Sequence, residues 1–102
     1  MDTKIEKRLL KIVNDYFICK NHFRLLTFSN GHPDYDSPFY QYYRDVELTF
    51  LKLDKDEQII IRYEYFFHPE SDWWKPLFDI NTFLRIRKRA IHKFVRYFDE
   101  IH

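Results

Sequence analysis

Thr82-Phe83-Leu84-Arg85-Ile86-Arg87-Lys88-Arg89-Ala90-Ile91-His92-Lys93-Phe94-Val95-Arg96 has the pattern of one amphipathic helix. Phe83, Ile86, Ala90, Phe94, Tyr97 and Ile101 recur at helical spacing, with Leu84, Ile91 and Phe98 beside them. Thr82, Arg85, Lys88, Arg89, His92 and Arg96 follow one another on a second face, and Arg87 and Lys93 complete the set of basic side chains. The spacing predicts a helix that runs to about Glu100. Its start is capped by either Asp79 or Asn81. A cationic helix face of this kind is often merely solvated. It is also what a helix needs in order to enter the major groove of DNA, where Arg pairs in bidentate fashion with guanine or with phosphate.

The residues before it bear on that choice. Asp54-Lys55-Asp56-Glu57 has the form of a capping box, with an acidic cap and a glutamate three residues on. It opens a helix expected from Lys55 to about Phe67. Ile59-Ile60-Ile61 alone would pass for a strand, but the cap and the helical flanks decide against it. His68-Pro69-Glu70-Ser71 breaks that helix. Asp72-Trp73-Trp74-Lys75-Pro76-Leu77-Phe78 is expected as a short helix, and Asp79-Ile80-Asn81 as a three-residue turn. A helix, a break, a short apolar element, a tight turn and a basic amphipathic helix follow in the order of a helix-turn-helix.

Leu53-Asp54-Lys55-Asp56-Glu57-Gln58-Ile59-Ile60 with Arg62-Tyr63 resembles the opening of region 4 of bacterial sigma factors. The stretch from Thr82 to Phe94 is similar to the recognition helix of phage transcriptional regulators of the ArpU/RinA type. Together these resemblances cover roughly residues 46–98 and do not extend to residues 1–37. They imply a sequence-specific double-stranded DNA-binding transcription regulator, phage-encoded, with RNA polymerase as a further partner. They also imply that Thr82, Arg85, Lys88 and Arg89 reach base edges and nearby phosphates. Arg87, His92, Lys93 and Arg96 would meet phosphates or lie on the flank. The sequence departs from the family pattern at Trp74-Lys75-Pro76-Leu77-Phe78, which is short, holds a proline and lacks the usual small residue before the turn.

Working towards the N-terminus, Ile5, Leu9, Ile12, Tyr16, Cys19, Phe23 and Leu26 alternate at spacings of four and three, which predicts a helix over about residues 3–26. The same stripe fits a heptad, so a homodimer is one expectation and a core-facing helix the other. Residues 29–38 hold the only Gly and two of the four Pro, and form a loop. Ser37 and Pro38 suit the cap and first turn of the next helix. Phe39, Tyr43, Val46, Phe50 and Leu53 would face the first helix as an antiparallel hairpin. The expected architecture is a single all-α domain over residues 1–102. It has four or five helices, an N-terminal helical hairpin plus a C-terminal helix-turn-helix, with residues 1–37 holding the first helix and loop and residues 38–102 the helices that include the helix-turn-helix.

Composition agrees. The chain has 102 residues, 45% hydrophobic and 21% aromatic, far from the make-up of a disordered chain. The net charge of +1 conceals an uneven layout. Residues 1–29 hold six basic and three acidic side chains, residues 30–79 five and eleven, and residues 80–102 six and two. A basic end beside an acidic middle lets one face approach phosphate. With Cys19 the only cysteine, and no apolar run near the ~20 residues that span a bilayer, a cytoplasmic protein with no membrane partner is expected. Cys19, His22 and His32 fall short of the four ligands of a zinc site, so no metal is expected. No nucleophile motif or phosphate-cradling glycine loop is present, so neither an enzyme nor a cofactor is expected. At least one of Trp73 and Trp74 is read as a core residue, clamping the short helix against the third, before either is read as a stacking platform for single strands. The rival function is a protein-interaction module that binds RNA polymerase or another transcription factor without touching DNA.

Overall fold

In a computed structural model describing residues 3–67 and 70–102, the chain is all-helical. Among the described residues four α-helices run in order: α1 (Thr3–Asn30), α2 (Pro38–Leu51), α3 (Lys55–Ile61) and α4 (Ile80–Ile101). A π-helical segment, Arg62–Phe67, continues α3 without a break. No strand occurs among the described residues, and Ile59, Ile60 and Ile61 lie in α3. The break expected at His68-Pro69 lies outside the described residues.

Local signals set the boundaries. Gly31, at φ +78°, ends α1 by adopting the left-handed conformation that side chains with a Cβ disfavour, and its N–H bonds Thr27 O at 2.9 Å. That carries α1 four residues past the expected end near Leu26. Ser37 caps α2, accepting from the Phe39 N–H at 3.2 Å, and Pro38 fills the first turn. Glu57 accepts from the Asp54 N–H at 2.8 Å, the backward half of the capping box. Asp79, not Asn81, caps α4: its carboxylate accepts from the Thr82 N–H at 2.9 Å.

The short helix expected over residues 72–78 does not form. Residues 71–77 are a run of turns, in which Lys75 N bonds Asp72 O and Leu77 N bonds Trp74 O at 3.1 and 3.0 Å. Pro76 offers no N–H to a helical ladder and disfavours the helical conformation at Lys75. Among the described residues the count is therefore four α-helices, and side chains from residues 73–78 hold the linker against α3, the π-helical segment and α4 instead. Trp74 stacks on Phe83 with centroids 4.8 Å apart. Trp73 donates from Nε1 to Glu64 at 2.6 Å. Ile60, Phe83 and Ile86 form a small core there, with Trp73, Trp74 and Phe78 packed against it.

The main core lies between α1, α2, the α3/π element and α4. Leu9, Ile12 and Tyr16 from α1 meet Val46 and Phe50 from α2, Ile61 and Tyr65, and Ala90, Ile91, Phe94 and Phe98 from α4. The α1 stripe that fits a heptad is thus covered over its N-terminal two-thirds by the chain's own helices. At ~1.5 Å per residue α1 is about 42 Å long, close to the 49 Å long axis of the whole fold. Among the described residues, no helix is long and apolar enough to cross a membrane.

Candidate nucleic-acid interface

α4 is amphipathic along its whole length. Phe83, Ile86, Ala90, Ile91, Phe94, Val95 and Phe98 are buried. Residues three or four apart share a face, so Arg85, Lys88, His92 and Arg96, at spacings of 3, 4 and 4, form one outward stripe. From Arg85 to Arg96 it covers about 16 Å at 1.5 Å per residue. Arg85, Lys88 and Arg96 are exposed and His92 half-exposed. Among the described residues none of the four is in an ion pair. The Arg96 guanidinium lies 5.0 Å from the Tyr97 ring centre, and His92 Nδ1 is 2.9 Å from the Lys88 carbonyl oxygen. Thr82 sits at the head of the stripe, its hydroxyl donating to Asp79 at 2.9 Å.

Arg89 and Lys93 lie on the shoulder of the helix that faces α3. Arg89 Nε donates to Glu57 Oε2 at 2.8 Å, and Lys93 Nζ to Oε1 at 2.7 Å. The Glu57 side chain is 0% exposed, whereas those of Arg89 and Lys93 are 47% and 21% exposed. Burial alone would raise the Glu57 pKa. The hydrogen bonds from Lys93, the Asp54 backbone and Arg89 outweigh it and hold the carboxylate below its ordinary value. The bond to Glu57 likewise raises Lys93 and Arg89. Asp54 Oδ2, 3.8 Å from Lys93 Nζ, borders this side of the stripe with negative charge.

Arg87 points the other way. It lies four residues from Phe83 and from Ile91, on the apolar side of α4, and is 17% exposed. Its Nη2 donates to Glu6 at 3.0 Å and to the Tyr65 hydroxyl at 2.8 Å, and its Nε lies 3.5 Å from Glu64. Arg87 therefore ties α4 to α1 and to the π-helical segment. Burial raises the Tyr65 pKa against the opposing charge of Arg87, so the hydroxyl stays protonated and available as a donor to Glu6.

Of the eight candidate residues, the fold brings Arg85, Lys88, His92 and Arg96 together on one open face, with Thr82 at its head. It turns Arg89 and Lys93 towards Glu57 and sends Arg87 to Glu6. The inward course of Arg87 was signalled by its phase with Phe83 and Ile91. The role of Glu57 as a shared anchor had no such signal, because its partners stand more than 30 residues away. Among the described residues no cluster of His, Cys, Asp and Glu could hold a metal ion. No family model matches the chain, and no curated protein or solved structure does.

Proposed function

We propose that this chain is a small double-stranded DNA-binding transcription regulator that lays the outward side of α4 in the major groove. The reading rests on one observation: Arg85 and Lys88 stand exposed on the first turns of a helix whose other side is core, with no ion pair to satisfy them among the described residues. A helix anchored on one side and cationic on the other suits groove insertion, since the groove is about 12 Å wide and admits a helix. Arg85, Lys88, His92 and Arg96 are the contact set in this reading, with Thr82 at the entry and Arg89 reaching phosphate from its half-exposed position. Arg87 and Lys93 serve the fold. The resemblance to sigma region 4 and to ArpU/RinA-type phage regulators supports a cytoplasmic role beside RNA polymerase, and it supports no catalytic role.

Electrophoretic mobility shift over a salt series tests this. Four phosphate contacts predict that log K falls with log salt at a slope of about −3 to −4. The Arg85→Ala/Lys88→Ala double variant should lose roughly two units of that slope. The second reading, a protein-interaction module, draws on the capture of Arg89 and Lys93 by Glu57, which lowers the free charge of α4. It requires that neither binding nor a salt slope be found.

A further inference from the structure

On the opposite side of the molecule from the α4 stripe, α1, α2 and the π-helical segment enclose a cavity of about 150 Å³. Its floor is buried Tyr16 and Phe50 with half-buried Phe66, and its rim is Phe17, Lys20, Glu47 and Arg62. Phe50 and Phe66 rest on Phe94, with ring centres 5.2 and 6.5 Å apart. Phe94 is nine residues from Arg85, and at 3.6 residues per turn that is half a turn round α4. An occupant of the cavity and a duplex on the stripe would not compete for space.

Size and charge specify the occupant. Sites for small molecules hold about 300–1,000 Å³. This cavity is smaller and aromatic-lined, the size of one large apolar side chain. The rim carries two cations and one carboxylate, and they are not equally available. Glu47 is already held by the Tyr16 hydroxyl, which donates to it at 2.6 Å. Lys20 Nζ lies 5.7 Å from the Tyr16 ring centre, and the Arg62 guanidinium 5.1 Å from that of Phe50. Neither cation is in an ion pair among the described residues. Both keep donors to offer a carboxylate from outside. The wall that carries Arg62 and Phe66 is π-helical, a rare geometry that recurs at functional sites.

We propose that this cavity receives an aromatic anchor side chain of an acidic polypeptide partner, with Lys20 and Arg62 pairing with carboxylates that flank the anchor. The proposal goes beyond DNA binding and stands on a different surface. The test is an ¹H–¹⁵N correlation titration of the full chain with two probes, acetyl-Asp-Glu-Phe-Asp-Glu-amide and acetyl-Lys-Lys-Phe-Lys-Lys-amide. The acidic peptide should move amides in residues 16–20, 47–50 and 62–67 and bind at least about tenfold more tightly than the basic one. Replacing its Phe by Ala should abolish the shifts. Lys20→Glu/Arg62→Glu should invert the preference, with circular dichroism reporting whether that variant folds. The wild-type comparison of the two peptides decides the matter by itself if it does not. Equal binding of both peptides, shifts confined to α4, or phenylacetate binding as tightly as the acidic peptide would each overturn the proposal. Loss of duplex binding in the salt series would leave these results untouched.

Discussion

The Arg89 Nε and the buried Glu57 Oε2 meet at 2.8 Å across 32 residues of chain, and the other oxygen of that carboxylate takes Lys93 at 2.7 Å. One side chain thereby caps α3, through the Asp54 N–H, and fixes α3 against the middle of α4. Two consequences can be measured.

The first concerns stability. Glu57→Gln keeps the shape but removes the charge that Arg89 and Lys93 share. Both cations retain access to water, so the loss should be on the order of 1–3 kcal/mol, below the cost of stranding a fully buried charge. Urea unfolding followed by circular dichroism reads it as a lower midpoint at an unchanged slope.

The second concerns pH. The folded-state pKa of Glu57 lies below its ordinary value, which is about 4.3 for an unperturbed glutamate. A carboxylate depressed in this way contributes stability that is fully present above its unfolded pKa and is lost as the pH falls through the folded value. Stability should therefore be held from neutrality to about pH 5 and decline below it. In Glu57→Gln the decline should be shallower. Thermal melts at pH 3, 4, 5 and 7 compare the two slopes.

Arg87 and Arg85 are two residues apart and should behave oppositely. Arg87→Met breaks contacts to Glu6, Tyr65 and Glu64 in a half-buried place, and should cost about 1–3 kcal/mol while leaving duplex affinity unchanged once the protein is folded. Arg85→Ala should change stability by no more than about 0.5 kcal/mol while weakening duplex binding. Chemical denaturation and fluorescence anisotropy on the same samples separate the two effects.

Phe94 is fully buried between Phe50 and Phe66. Phe94→Ala should cost about 3–5 kcal/mol, a large part of the ~5–15 kcal/mol that holds a domain of this size together. A fall in Tm of more than ten degrees by calorimetry is the expected result, and the substitution would remove the ring on which the cavity's Phe50 and Phe66 rest.

Much of this was legible in the sequence where local rules decide. Ser37-Pro38 and Asp54 to Glu57 mark the starts of α2 and α3, because caps act over three residues, while for α4 the sequence leaves Asp79 and Asn81 open and the structure selects Asp79. The 4-3 spacing of Leu9, Ile12 and Tyr16 identified the buried face of α1. Long-range packing was not legible. Nothing in Arg62–Phe67 marks a π-helical geometry, and the contacts Tyr65 makes with Glu6 of α1 and Phe66 with Phe94 of α4 join residues far apart in the chain. The contacts that hold the linker around Pro76, Trp73 on Glu64 and Trp74 on Phe83, join residues nine apart and have no signature in the local sequence. The basic residues of α4 were visible as a group. Their division into an open stripe, a pair on Glu57 and an inward Arg87 follows from the placement of acidic residues far along the chain.

In the proposed function the outward face of α4 meets nucleic acid. An ¹H–¹⁵N correlation titration with a mixed-sequence duplex at about 50 mM salt, where non-specific complexes are strong enough to observe, tests it most directly. Shifts should be concentrated at Thr82, Arg85, Lys88, His92 and Arg96 and fade as salt rises. Shifts absent at low salt, or confined to α1 and α2 while α4 stays silent, would contradict it.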